Sequence, residues 1–157
     1  MLSVPERDMK MKWLIEDMQE SDLPEVLNLE RSVFGGMAWS VRDFESAIAS
    51  KYDAPLVIHD GNQLAAYCVL RLLGLEAEIL NICVSSPYRR KGYGDALMDQ
   101  MLDIAAGQGA GKIWLEVREC NEPAKALYRK KGFTDAYVRK AYYSDPIEDA
   151  IIMLLER

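Results

Sequence analysis

Ala77-Glu78-Ile79-Leu80-Asn81-Ile82-Cys83-Val84, Ser85-Ser86-Pro87-Tyr88 and Arg89-Arg90-Lys91-Gly92-Tyr93-Gly94, followed by a helical run to Ala106, form the stretch that decides the fold. Residues 77–84 read as a strand that Ser85-Ser86-Pro87 stops. From Gly94 to Ala106 the period changes. Ala96, Leu97, Met98, Met101, Leu102, Ile104 and Ala105 share one face, and Asp95, Asp99 and Asp103, four apart, form the wet one. A helix N-terminus presents unpaired N–H groups and a positive dipole end, which together attract phosphate oxygens. Three cations and two glycines at that junction make Arg89, Arg90, Lys91, Gly92, Tyr93, Gly94 and Asp95 a candidate anion-binding turn. The bland alternative is a tight, solvated strand-to-helix connection. The turn lacks the GK[ST] of a P-loop, and Leu97 stands where a dinucleotide fingerprint needs its third glycine.

Upstream, Trp13-Leu14-Ile15 opens a strand that ends near Met18. Ser21-Asp22-Leu23-Pro24-Glu25 starts a helix with a polar cap and an early proline, and Gly35-Gly36 ends it. A second helix spans Ser40 to about Ser50. Leu56–Ile58 and Leu64–Leu73 flank Asp60-Gly61, a hairpin signal. Downstream, Ile113–Val117 reads as a strand, Pro123–Lys131 as a helix stopped by Gly132, and Phe133–Tyr142 and Ile147–Leu155 as two strands. The order β-α-α-β-β-β-α-β-α-β-β predicts an α/β domain with a mixed, mostly antiparallel sheet. Residues 1–157 read as a single domain, with 1–10 as a flexible lead-in. A doubly wound nucleotide-binding domain is disfavoured, because parallel strands need long crossovers and the early strands are joined by short turns.

The chain has 157 residues, half of them hydrophobic, which is enough for one real core. No apolar run approaches membrane-spanning length. Met1 to Lys12 carries charges and Pro5 but no hydrophobic segment, so no signal peptide is expected. Three cysteines make no disulfide framework or CxxC pair, and a cytoplasmic setting is expected. With His59 as the single histidine, no metal site is expected. The net charge of −6 disfavours a nucleic-acid partner. Yet residues 88–140 carry 11 basic against 7 acidic side chains, and the rest carries 8 against 18, so an anionic ligand is expected locally.

At these residues the chain resembles a known family. Arg89-x-x-Gly92-x-Gly94 is similar to the pyrophosphate motif of the GCN5-related N-acetyltransferase (GNAT) family, whose element order is the one read above. Asn121-x-x-Ala124-x-x-Leu127-Tyr128-x-x-x-Gly132-Phe133 is similar to that family's helix after its fifth strand. Within the family, Ile113–Arg118, Tyr142-Tyr143 and Glu148–Met153 resemble the RimI type, the ribosomal-protein alanine N-acetyltransferases. The resemblance implies a GNAT fold, its sheet splayed at the acetyl-CoA site. It implies acetyl-CoA as donor and a protein or peptide N-terminal α-amine, a ribosomal protein's included, as acceptor, by direct attack in a ternary complex. A small amine or polyamine acceptor, or a non-catalytic CoA-binding module, are the competing readings. No nucleic-acid or membrane partner is expected; the expected assembly is a monomer or weak dimer.

An ammonium must lose a proton before its nitrogen attacks a thioester, and a carboxylate can take it. Strand alternation sets Trp114, Glu116 and Arg118 opposite Ile113, Leu115 and Val117. The resemblance makes Glu116 the general base; an exposed carboxylate paired with Arg118 is the alternative. It makes Tyr128 the general acid for the leaving thiolate, against a half-buried core tyrosine. It assigns the backbone of Ile82, Cys83 and Val84 to the pantetheine arm and Asn121 to a donor contact. Neither Cys83 nor Cys120 reads as an acyl carrier, since no His accompanies either. Lys125 and Arg129–Lys131 add to the basic region. Trp39, Tyr142 and Tyr143 are the acceptor-side candidates, although Tyr142 and Tyr143 read equally well as ordinary strand aromatics. Here the loop reads Gly35-Gly36-Met37-Ala38-Trp39-Ser40, with Ala38 in the family's Pro position, and the Tyr143–Glu148 connection is short.

Overall fold

A computed structural model describes residues 13–144 and 146–157, so the expected lead-in lies outside the described residues. Seven strands, β1 (Ile15–Asp17), β2 (Asp53–Asp60), β3 (Gln63–Leu73), β4 (Glu76–Val84), β5 (Lys112–Arg118), β6 (Thr134–Ser144) and β7 (Ile147–Glu156), form one sheet. Its spatial order is β1-β2-β3-β4-β5-β7-β6, with β4 and β5 parallel and every other pair antiparallel. The helices are α1 (Leu23–Phe34), α2 (Val41–Ala49), α3 (Tyr93–Gly107) and α4 (Glu122–Lys130). This is the expected element order. The one parallel pair is bridged by α3, as a crossover requires.

Local chemistry sets the boundaries. Ser40 caps α2 in a reciprocal box with Asp43, and the Asn121 side chain caps α4 at the Ala124 N–H, 3.3 Å away. Strand β2 begins three residues before the expected start and runs through Pro55. Since β1 pairs only with Leu56–Ile58, Pro55 lies where no neighbour needs its missing N–H.

The sheet is packed on both faces. Val26, Leu27, Phe44, Val57, Tyr67, Val69 and Cys83 join α1 and α2 to one face. Leu97, Met98, Met101, Ile113, Leu115, Phe133 and Met153 join α3 and α4 to the other. Removing a fully buried Leu or Met from either layer costs about 2–5 kcal/mol.

One irregularity in β4 governs the site. Its register with β3 steps from Leu70↔Ile79 to Val69↔Asn81, so Leu80 is an extra residue. The bulge reverses the alternation. Ala77 and Ile79 face α3, whereas beyond Leu80 it is Ile82 and Val84 that do, and Cys83 turns to the α1/α2 layer. At the same place the ladder with β5 ends: pairing runs from Glu76↔Lys112 to Ile79↔Leu115 and stops, while β4 continues to Val84 and β5 to Arg118. The two strands part there, which is the expected splay.

Strand β6 also departs from regular pairing between Arg139 and Tyr143, where β7 contributes Asp149 alone. Asp149 stitches this wide bulge by accepting from the Ala141 N–H at 2.8 Å and from Lys140 Nζ at 3.3 Å.

Candidate active site

A cleft of about 480 Å³ occupies the opening between β4 and β5. Its walls come from β4 (Glu78, Asn81, Ile82), β5 (Glu116, Arg118), α4 (Tyr128) and the Tyr142-Tyr143 end of β6, with the α1–α2 loop above. Of the sequence candidates it gathers Trp39, Ile82, Glu116, Asn121, Tyr128, Tyr142 and Tyr143. The two expected proton-transfer groups therefore share one cavity, though they arise from different elements.

Glu116 lies on the face opposite the α3/α4 core, as alternation requires. Arg118, on the same face, is held from β7. Arg118 Nη1 is bound to Glu148 at 3.2 Å and to the Pro146 carbonyl at 3.1 Å, with its guanidinium 4.2 Å from the Tyr143 ring centroid. Glu116 instead meets Arg139 at 3.8 Å, beyond hydrogen-bond length. Burial, followed by the nearby Glu116 carboxylate, pushes Tyr143 up to about 12 and also raises Tyr142.

Tyr128 is 6% exposed and packs edge-on against Phe133. Burial, chiefly, raises its phenol, so it stays protonated at neutral pH and can donate. Burial also pushes the Cys83 thiol up to about 11, and Glu148 beside Cys120 raises that thiol; neither is an activated nucleophile.

The candidate anion-binding turn is formed largely by backbone. Gly92 caps α3 with φ 95°, a left-handed value that glycine tolerates, and Arg90 also has φ 62°. Ala96 N–H makes the first helical bond, to the Gly92 carbonyl at 3.0 Å, and the N–H groups before it have no carbonyl within the helix. The Tyr93 side chain is buried and stacks on Trp13, with ring centroids 3.9 Å apart, so this residue offers its N–H rather than its phenol. Asp95 offers its backbone only: Lys130 and Lys131 hold its carboxylate, and their hydrogen bonds depress its pKa. The α4 cations are likewise engaged, Lys125 with Glu122, Arg129 with Asp135 and Lys131 with Asp99. Arg89 folds back onto the Val84 carbonyl at 3.1 Å. Arg90 and Lys91 remain exposed beside the turn.

Sequence reasoning missed Glu30 and Asn81. Glu30 is 1% exposed and accepts from Tyr67 Oη (2.5 Å), Asn81 Nδ2 (3.2 Å) and the Trp39 N–H (2.9 Å). It ties the α1–α2 loop to the bulged stretch of β4. Trp39 is thereby anchored, and its ring packs on Phe44. The signal was present: Glu30 continues the apolar face of Leu23, Val26 and Leu27, where a charge demands partners. Across the cleft mouth, Ser144 Oγ donates to Met37 Sδ at 3.3 Å, joining the β6–β7 turn to that loop.

A helix terminus whose first N–H groups have no carbonyl within the helix, a strand with one edge open for pairing, and a carboxylate and phenol in one cleft fit an acyl-CoA thioester. Among the described residues no group of three or more His, Cys, Asp or Glu is arranged to hold a metal, and no helix is long and apolar enough to cross a membrane.

Known proteins agree with this geometry. The acetyltransferase (GNAT) family model matches residues 12–133. The [ribosomal protein bS18]-alanine N-acetyltransferase of Escherichia coli (strain K12) is 35% identical over 143 residues, covering 90% of this chain and 95% of that one. The crystal structure of the ribosomal-protein-S18-alanine N-acetyltransferase from Escherichia coli superposes with a TM-score of 0.81 at 33% identity, covering 92% of this chain and 93% of the other. Arabidopsis thaliana NAA60 in complex with a bisubstrate analogue shares the fold, with a TM-score of 0.85 at 16% identity over 92% of this chain and 98% of its own. The chain belongs to the acetyltransferase (GNAT) family and is an acetyl-CoA-dependent N-acetyltransferase.

Proposed function

We propose that this enzyme acetylates the α-amine of a protein N-terminus, an Ala-first ribosomal protein among its acceptors, by direct attack on the thioester. The observation that carries the reading is the meeting of Glu116 and Tyr128 in one cleft at the point where β4 and β5 part. Glu116 takes the proton of the incoming ammonium, and the nitrogen lone pair then attacks the acetyl carbonyl. The C–S bond then breaks: Tyr128, kept protonated by burial, gives its proton to the departing thiolate, and the surplus proton on the attacking nitrogen restores the phenol, leaving a neutral amide and CoA thiol. The α3 N-terminus, with Arg90 and Lys91, holds the donor's phosphates, and the open edge of Ile82–Val84 pairs with its pantetheine arm. Asn121 caps α4 at the cleft wall and steadies the donor from that side.

The 35% identity to a bS18-alanine N-acetyltransferase supports an α-amine acceptor. The Met37–Ser144 bridge over the cleft mouth favours one second reading, a small-molecule amine. Mass spectrometry separates the two. The full chain is incubated with acetyl-CoA and either N-terminal peptides, Ala-first ones included, or free amines and polyamines. Acetylated peptides are expected; acetylated amines with untouched peptides would overturn the main reading.

A further inference from the structure

Charged side chains form a row across the sheet face that floors the cleft. Asp53 on β2, Arg71 on β3 and Glu78 on β4 are successive register partners. Glu78 stands opposite Trp114, one same-face step from Glu116. Arg71 is committed to Asp53, its Nε and Nη2 reaching the two carboxylate oxygens at 2.9 and 3.0 Å. Trp114 Nε1 donates to Glu76 at 2.6 Å, and Arg118 is bound to Glu148. Glu78, half-buried in the cleft wall, has Arg71 and Arg139 nearby but no ion pair of its own among the described residues, and it faces Glu116, like charge against like charge on adjacent strands. Arg139 lies near both, but it is half-exposed, sits 3.8 Å from Glu116 and leans over the Tyr137 and Tyr142 rings.

We propose that Glu78 and Glu116 together seat the acceptor's ammonium group, and that Arg139 is a weakly held stand-in which the ammonium displaces. An ammonium carries several N–H donors on a compact charge, so it can bridge two carboxylates that a stacked guanidinium only approaches. The division of labour rests on the reaction proposed above: Glu116 receives the proton, while Glu78 binds and orients the amine and keeps its own charge. Such a seat selects acceptors by charge. A free N-terminus enters; an N-acetylated one, neutral at that nitrogen, does not.

Binding tests the seat without requiring turnover. An Ala-first peptide, free or N-acetylated, is titrated calorimetrically into the full chain saturated with CoA. Wild type should bind the free peptide at least tenfold more tightly than the N-acetylated one. The near-isosteric Glu78→Gln should weaken the free peptide about tenfold, ~1.4 kcal/mol, with affinity for CoA itself unchanged. Arg139→Gln, at an exposed position, should tighten the free peptide by two- to threefold. Wild-type binding that Glu78→Gln leaves untouched, or equal loss for both peptides, overturns the seat alone. Weaker binding by Arg139→Gln overturns the stand-in role. If wild type binds neither peptide, the peptide-acceptor reading falls and takes the seat with it.

Discussion

Tyr67 on β3 donates its phenolic hydrogen to Glu30 on α1 at 2.5 Å, in a site where Tyr67 is fully buried and Glu30 is 1% exposed. The pair links a helix to the strand beneath it. Through the Trp39 N–H and Asn81 Nδ2, the same carboxylate also holds the α1–α2 loop and the bulged part of β4.

Tyr67→Phe removes one donor from a buried carboxylate and should cost about 1.5–3 kcal/mol, the usual range for a hydrogen bond to a charged group. Urea denaturation should show a lower midpoint at unchanged slope. An unchanged midpoint would mean that Asn81 and the Trp39 N–H suffice for Glu30.

Glu116→Gln and Tyr128→Phe each remove a proposed proton-transfer group with little change of shape. Each should lower kcat by ~10²–10⁴-fold while acetyl-CoA affinity holds within about twofold. Single-turnover kinetics alongside donor titrations would separate chemistry from binding. Full turnover in either variant would remove that residue from the mechanism.

The proposed anion-binding turn predicts a different signature. Arg90→Ala with Lys91→Ala should raise the KM for acetyl-CoA and flatten its dependence on salt, leaving kcat nearly intact. Gly92→Ala forces a side chain into φ 95°, at a cost of about 1–2 kcal/mol, and should weaken donor binding through the turn's shape. Fluorescence titration with CoA at two ionic strengths distinguishes the charge effect from the shape effect.

Asp95 sets an acid limb. Hydrogen bonds from Lys131 and Lys130 hold its carboxyl below the ordinary aspartate value of about 3.9. A depressed native value means that the ionised form is favoured in the fold. Its contribution is therefore complete above about pH 4 and is lost as pH falls through the lower native value. Asp95→Asn should lose stability at pH 7 and show a shallower further loss between pH 4 and pH 2 than wild type. Parallel acid curves for the two proteins would show that the pair contributes nothing.

The order of elements was legible because each boundary has a local cause: Pro24, the Ser40 cap, Asp60-Gly61, Pro87 and Gly132 all act within a few residues. The shape of the candidate phosphate turn was legible for the same reason, since a helix start, glycines and cations are adjacent in the chain. Pairing across the sheet was not. Arg118 looked like the partner of Glu116 because strand neighbours on one face lie close, yet Glu148 on β7 takes it. The basic stretch of α4 looked available to phosphates, but Asp95, Asp99, Glu122 and Asp135 compensate it from other turns of chain. Glu78 drew no notice, because an acidic residue in an alternating strand ordinarily faces water. Its meaning depends on Arg71 being committed to Asp53, a relation between strands that the linear order does not display.

The bulge at Leu80 makes the length of β4 matter more than the character of any one of its side chains. Deleting Leu80 would restore simple alternation and leave Asn81, Ile82, Cys83 and Val84 opposite their present β3 partners and on their present layers, while removing the irregularity at which β4 leaves β5. Apolar replacements at Ile82 or Val84 would be absorbed locally; a one-residue shortening at Leu80 would let the β4–β5 ladder run on past Ile79 and close the cleft. The change this strand tolerates least is one of count.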